Sequence, residues 1–253
     1  MEVDALVKGA SKKGIERFGL TDHIHTYYNY PDILSSLRDY ESNRKDDFFF
    51  GVEVSCVSQW ELNEIRRGSY NGDITYGIRS GGSPGCSLAI AIDEKFKEEN
   101  SIEFVVGGTH WSLYTDDSAV SVINDYHRQN MFLAQHPLVD IVAHPWWYYG
   151  PCKDGWTEDF SIIPQSMHYE FLDACLENNK LIEINLAAML LSKRYSESFK
   201  EQYMEYLVML REKGARFSIG SDCHSKFYDI DFEKASEMLE KAGFTANDFH
   251  SPV

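Results

Sequence analysis

The chain is short of positive charge, of paired cysteines and of long apolar runs. It carries 24 basic residues against 40 acidic ones, a net charge of -16. A surface of that sign repels nucleic acid and anionic membranes, so neither a long nucleic acid nor a membrane is expected as a partner. Small anionic substrates are not excluded, because bound cations reverse the sign locally. The five cysteines (Cys56, Cys86, Cys152, Cys175 and Cys223) are odd in number and form no CxxC pair, which fits a reducing compartment. The first residues are charged and lack the apolar stretch of a signal peptide. No uninterrupted apolar run approaches membrane-spanning length. A soluble, cytoplasmic protein is therefore expected. No linker-like stretch divides the 253 residues, so one domain is favoured, and 43% hydrophobic residues suffice for a sizeable core. No sequence repeat of constant period is present. No G-x-S-x-G string offers a serine nucleophile.

What is present is a succession of short apolar strands that end in His, Glu or Asp. Spacing and breakers predict helices over 3–14, 31–44, 59–67, 88–98, 118–136, 166–178, 197–213 and 231–242. Strands are predicted over 17–21, 48–55, 103–107, 139–143, 181–186 and 216–220. Two turn-rich stretches, 68–87 and 148–165, read as long loops, and loops of that length are often lids or disordered. Strands that alternate with helices imply parallel pairing through crossover helices. Six strands with polar tips fit a TIM-like (β/α) barrel better than an open sheet, and such barrels hold their sites at the carboxyl ends of the strands. His23, Glu53, His110, His144 and Asp222 fall at that rim.

Singly, a histidine after a strand is more often a cap or a hydrogen-bonding residue than a metal ligand. Glu53 is stronger, because a buried, unpaired carboxylate in an apolar strand costs several kcal/mol and needs a cation or hydrogen-bond donors. Glu183, between Ile182 and Ile184, obeys the same argument, with a structural hydrogen bond and ligation both open. Asp222 and His224 stand two residues apart on a turn and could serve one metal or two neighbouring ones. Jointly, imidazole and carboxylate donors suit zinc, manganese or iron, and Cys223 between two candidates reads as a small packed residue. His127, His136, His168 and His250 read as structural. Trp111, Trp146 and Trp147 either wall the pocket or fill the core. Arg66, Arg67 and Arg79 border the glycine-rich loop, where a solvated charge is the default. Arg79, with Tyr76, is the candidate clamp for a substrate anion, since a planar guanidinium matches phosphate.

In order and spacing, FGLTDHIHT, FFGVEVS, VVGGTHW, IVAHPW, LIEIN and SIGSDCH resemble the PHP (polymerase and histidinol phosphatase) family of metal-dependent phosphoesterases. The resemblance runs from about residue 3 to about residue 243, leaving 244–253 as a tail, and is nearest to the stand-alone, histidinol-phosphatase-like members. It implies a distorted (β/α)7 barrel with a cluster of two or three divalent metals. It implies His23 and His224 as ligands of one metal, Glu53, His110 and His144 of another, and Asp222 of a third to which Glu53 bridges. Glu53 and Asp222 are then the catalytic pair, a metal-bound hydroxide held beside them attacks phosphorus, and the substrate is a small phosphomonoester. The family opens with a strand ending in His-x-His, which is not found here. A start assigned too far downstream, a truncated chain, or a natural loss compensated by His25 would each account for this. A return of Phe249-His250-Ser251 to the gap is a less favoured route. An open seam would leave unpaired backbone groups and favour a homodimer. Nuclease action, hydrolysis of an amide or other non-phosphate bond, and a catalytically silent metal- or metabolite-binding barrel are the rival functions.

Overall fold

The structure, a computed structural model, describes residues 3–70, 73–148, 159–225 and 228–253. Gly72 and Cys152, and most of the loop expected at 148–165, lie outside them. Six parallel strands form one curled sheet, and they are the six that the apolar runs predict. They are β1 (Phe18–Ile24), β2 (Phe48–Ser55), β5 (Phe104–Gly108), β6 (Ile141–Ala143), β7 (Leu181–Asn185) and β8 (Phe217–Gly220). Their order across the sheet is β1-β2-β5-β6-β7-β8. Two short strands, β3 (Val57–Ser58) and β4 (Leu88–Ala89), pair antiparallel beside it. The helices are α1 (Val3–Lys12), α2 (Tyr30–Asn43), α3 (Gln59–Arg66), α4 (Glu94–Glu99), α5 (Ala119–Gln135), α6 (Gln165–Glu177), α7 (Glu197–Glu212) and α8 (Phe232–Lys241).

The sheet is a parallel half-barrel of the distorted TIM-like kind. Its curl brings β1 and β8 to either side of a cavity of about 580 Å3, lined by both strands, by Phe104, Val106 and Ile141 from the interior, and by the last residues of the chain. Two glycines shape that interior. A Cβ on Gly19 or on Gly51 would stand 2.5 Å from the Phe104 ring, so this ring occupies the space that side chains on β1 and β2 would need. Strands β1 and β8 do not pair with each other. The chain end meets the seam at a single rung: Phe249 bridges Phe217 in parallel, and the His250 N–H donates to the Phe217 carbonyl at 2.7 Å. Arg17, just before β1, bonds the Val253 carbonyl.

Two expected elements differ. The run 88–98 is not one helix. Leu88 and Ala89 are held as β4 by Val57 and Ser58, the Gln59 N–H donates to the Ser87 carbonyl at 2.8 Å, and helix starts only where Asp93 caps Phe96. Tertiary pairing overrides helical spacing there. Leu186, expected to end the strand, instead opens one π-helical turn over 186–190 that Asn185 caps through the Ala188 N–H.

Trp146 is fully buried away from the barrel mouth. It packs between His127 and His168, which resolves its alternatives in favour of core. The His168 ring stacks on Phe160 with 2° between planes and lies 4.5 Å from the Tyr206 ring centre. Its Nδ1 has no hydrogen-bond partner among the described residues. Burial, and then the neighbouring His127, lower its pKa from 6.5 to about 4. The unfolded chain therefore takes up this proton first, so the stability contributed by neutral His168 is complete above pH 6.5 and declines as pH falls towards 4. Between pH 6.5 and 5 the loss is about 2 kcal/mol. Thermal melts of the chelated protein at pH 7 and pH 5 test this: His168→Phe is expected to reduce the difference by that amount, with the lowered His110 and His25 leaving the remainder, and equal pH slopes for both proteins would assign the proton elsewhere.

Candidate active site

Glu53 is the centre around which the candidate residues gather. It lies on β2 next to His23 on β1, its register partner, and near His110 just beyond β5. His110 Nε2 is 2.8 Å from Glu53 Oε1, His144 Nε2 is 3.3 Å from the same oxygen, and His23 Nδ1 is 3.9 Å from it. Among the described residues, His23, Glu53 and His110 form the group whose ligand atoms all lie within 4.8 Å of one another. His224 stacks on His23 at 5.7 Å between ring centres and pairs with Asp222 at 3.2 Å. The Asp222 carboxylate also accepts from Asn185 Nδ2 at 3.2 Å. His23, Glu53, His110 and His144 thus come together at one point. Asp222 and His224 form a second edge that touches it through His23.

His25 is buried beside the group rather than in it. Its Nδ1 is 2.6 Å from Ser55 Oγ, and Ser55 Oγ is 2.8 Å from His110 Nδ1. A chain His25–Ser55–His110–Glu53 therefore fixes the His110 ring so that Nε2 faces the carboxylate. Sequence reasoning missed Ser55, although it stands in the FFGVEVS motif two residues after Glu53, on the same side of the strand. Removing the hydrogen-bond partner of a ligating imidazole typically costs 10–100-fold in metal affinity. If the cluster holds a divalent ion, Ser55→Ala is expected to lose it to a competing chelator about tenfold more readily than wild type at unchanged circular dichroism. Equal retention would show that His110 is oriented without Ser55.

Asp22 faces away, where Ser36 of α2 bonds its carboxylate. Glu183 lies beneath the rim and accepts the His144 N–H at 2.7 Å and Asn185 Nδ2 at 3.1 Å. Of its two open readings, the geometry places it as a hydrogen-bond acceptor. Trp111 and Trp147 stand at the pocket wall: Trp111 is 5.3 Å from the His25 ring and Trp147 5.2 Å from the His144 ring. Arg66 lies over Tyr27 and Arg67 pairs with Glu64, both apart from the site. Arg79 instead lies over the Trp111 ring and donates through Nε to the Tyr76 carbonyl at 2.6 Å, while the exposed Tyr76 ring comes within 5.3 Å of His25. His127 bonds Glu170 at 2.9 Å and His136 accepts from the Leu138 N–H, both away from the mouth. Cys223 donates to the Ser225 carbonyl. The four described cysteines are all free thiols.

The electrostatics favour an ionised carboxylate with a protonated His144 on one side and neutral His110 and His25 on the other. Burial alone would raise the Glu53 pKa, but hydrogen bonds from His110 and His144 hold it well below the usual carboxylate range. Burial pushes His110 down to about 4 against the pull of Glu53. Burial, then His110, His23 and Arg79, push His25 down to about 3. For His144 burial opposes charge, but Glu53, Glu183 and Asp222 outweigh it and raise the group to about 9. His23 Nδ1 and His144 Nδ1 are buried without a hydrogen-bond partner among the described residues. Such groups cost stability unless something binds them. One carboxylate, several imidazoles and no thiolate in the cluster are a donor set that fits a divalent ion.

No family model matches the chain. Probable phosphatases of Thermoanaerobacter sp. (strain X514) and Thermoanaerobacter pseudethanolicus are each 30% identical over 111 residues. That match takes in 44% of this chain and 38% of the relatives' length. A histidinol phosphate phosphatase from Lactococcus lactis, solved with zinc, L-histidinol and phosphate, superposes with a TM-score of 0.59 at 18% identity. The superposition covers 96% of this chain and 88% of that one. A chain of archaeal ribonuclease P, solved with mature tRNA, superposes at 0.50 with 15% identity over 96% and 80% of the two chains. The chain therefore has the fold of the histidinol phosphate phosphatase, the fold that its six strand-end motifs led one to expect.

Proposed function

We propose that the protein is a metal-dependent phosphoesterase of the PHP kind, acting on a small phosphomonoester. The observation that carries this is Glu53, a partly buried, ionised carboxylate with His110 and His144 in hydrogen-bond reach and His23 beside it, at the mouth of a half-barrel with that fold. His23, Glu53, His110 and His144 are the proposed ligands of the first ion, and Asp222 and His224 those of a neighbouring one. Divalent ions, when bound, supply the activation of water at neutral pH and positive charge for the phosphoryl oxygens. Zinc has the support of the Lactococcus structure, and manganese and iron suit the same donors. The protein's own part is positional. Glu53 and Asp222 bring negative charge that favours the ions. Ser55 and Glu183 fix the groups around them. Arg79 and Tyr76 stand where a phosphate or its leaving group would enter.

The test is hydrolysis by protein reconstituted separately with zinc and manganese, read as inorganic phosphate for monoesters and as cleavage products by chromatography for the rest. The panel holds small phosphomonoesters, single-stranded DNA, and esters and amides without phosphate. Turnover confined to the monoesters is expected. Cleavage of DNA or of the phosphate-free compounds would support a rival chemistry. Binding of less than one ion per chain, with no turnover at all, would support a silent barrel. The acidic surface favours the small substrate over the long one. Among the described residues no helix is long and apolar enough to cross a membrane. The edges of β1 and β8 do not pair with each other, the chain end bridges β8 at Phe217, and Ile219 stands exposed on β8, which supports a homodimer across the remaining seam. A monomer in size-exclusion chromatography with undiminished thermal stability would count against it.

A further inference from the structure

The sequence reads 68–87 as a long loop, of a length that is often a lid or disordered; within it, 73–80 is fastened to the barrel from beneath. The N-terminal fastening comes from the turn after β1. Asn29 Oδ1 accepts the N–H groups of His25 and Thr26, and Asn29 Nδ2 donates to the Thr75 carbonyl at 3.2 Å. The second comes from α3. Ser58 caps this helix by accepting the Glu61 N–H at 3.0 Å, which sets the start of the helix under the loop. The Glu61 side chain is completely buried, and its Oε1 accepts the Ile78 N–H. Its Oε2 has no hydrogen-bond partner among the described residues. The loop closes on this carboxylate so tightly that a Cβ on Gly77 would stand 2.0 Å from Glu61 Oε1, and Gly77 itself has φ +91°. The next residues turn sharply. Ser80 N–H donates to the Ile78 carbonyl, and Arg79 takes the left-handed backbone at φ 63°. That turn lays the guanidinium over Trp111, on the His25 side of the candidate site.

A carboxylate completely removed from water on a short surface helix is costly, and a helix of this composition gains nothing local from it. The geometry points to a role beyond packing. We infer that Glu61 is the positioning residue that holds Arg79 at the mouth of the site, by anchoring the backbone one residue before it. This rests on the phosphoesterase reading for the identity of what Arg79 meets, but not for the anchoring itself.

The two parts separate experimentally. Native trypsin digestion, followed by mass spectrometry of the fragments, reads whether the Arg79–Ser80 bond is held. Wild type is expected to resist cleavage there, Glu61→Ala to be cut at least about tenfold faster, and Glu61→Gln, which keeps one acceptor for the Ile78 N–H, to recover most of the protection. Gly77→Ala attacks the same contact from the loop side and should expose the bond even if Glu61→Ala folds poorly. In kinetics with p-nitrophenyl phosphate, Glu61→Ala should raise KM about tenfold with a much smaller change in kcat, and weaken inhibition by inorganic phosphate by the same factor. Arg79→Ala should do likewise, and the double variant should be no worse than Arg79→Ala alone. Continued protection of Arg79 in both Glu61→Ala and Gly77→Ala, or multiplying effects in the double variant, would overturn the assignment. No turnover of p-nitrophenyl phosphate by wild type would count against the phosphoesterase reading and leave the digestion to decide on Glu61.

Discussion

Glu53→Gln is expected to abolish turnover of phosphomonoesters and to strip the protein of most of its metal. The side chain is the point on which His23, His110 and His144 converge, and its pKa lies well below the usual range, so at neutral pH it is a full negative charge. Glutamine keeps the size and an oxygen that His110 can approach, but it brings no charge to offset a dication. If the lost stabilisation of the reacting charge is about 4 kcal/mol, the rate falls roughly 10³-fold. Stability in chelator should fall as well. Hydrogen bonds from His110 and His144 hold Glu53 ionised, and His144 is itself raised to about 9, so this pair is charged at neutral pH. Glutamine leaves that imidazolium without its hydrogen-bonded carboxylate, and the variant should be less stable by about 1–3 kcal/mol. Three readouts decide: metal by elemental analysis, phosphate release, and thermal melting with and without chelator. A variant that keeps both its metal and its turnover would show that the chemistry lies elsewhere, with Asp222 and His224 the first place to look.

The part of this site that could be read from sequence is the part where local rules are violated. An acid inside Phe48–Ser55, or histidines immediately after apolar runs, conflicts with what a buried strand tolerates, and the conflict marks function. The strands themselves were legible because a parallel strand covered on both faces is apolar throughout. Ser55 carries no such signal, since a serine at a strand end is ordinary by composition, and only the 2.6 Å and 2.8 Å contacts to two histidines reveal its work. Glu61 is less visible still. In sequence it is one of many acids on a polar helix, and its burial is created by residues 75–79 folding over it. The reading of 68–87 as a long loop holds for its described residues, which form no helix or strand, and that same contact fastens part of it to α3. The run 88–98 misled because helical periodicity is weak evidence against a partner strand supplied from 31 residues earlier in the chain. The glycine-rich look of the loop was sound as a sign of special backbone, as Gly77 and Arg79 attest, but not as a sign of looseness.

Gly220→Ala is expected to disrupt the rim from below although it adds a single methyl group. The new Cβ would stand 1.7 Å from Glu183 Oε1 and 2.5 Å from Cδ, with no space to be found short of moving the carboxylate. That carboxylate accepts the His144 N–H and Asn185 Nδ2, and Asn185 in turn donates to Asp222. His144 and Asp222 both sit in the left-handed region, at φ 27° and 49°, a conformation that non-glycine residues keep only when their surroundings impose it. Displacing Glu183 therefore removes the hydrogen bond of the strained His144 N–H and one of the two acceptors that orient Asn185 Nδ2 towards the strained Asp222. Overpacking costs about 1–3 kcal/mol and an orphaned buried N–H a similar amount, so destabilisation of about 3 kcal/mol is expected, with weaker metal binding on top. Glu183→Ala alone should lose the hydrogen bonds but not clash. The double variant Gly220→Ala with Glu183→Ala separates the two causes, because the alanine at 183 vacates the space that the alanine at 220 needs. It should be no less stable than Glu183→Ala by itself, a coupling of about 1–3 kcal/mol in urea titrations. If the two losses simply add, Gly220 is required for its own backbone and not for the room it leaves to Glu183, and the carboxylate is not what holds His144 and Asp222 in place.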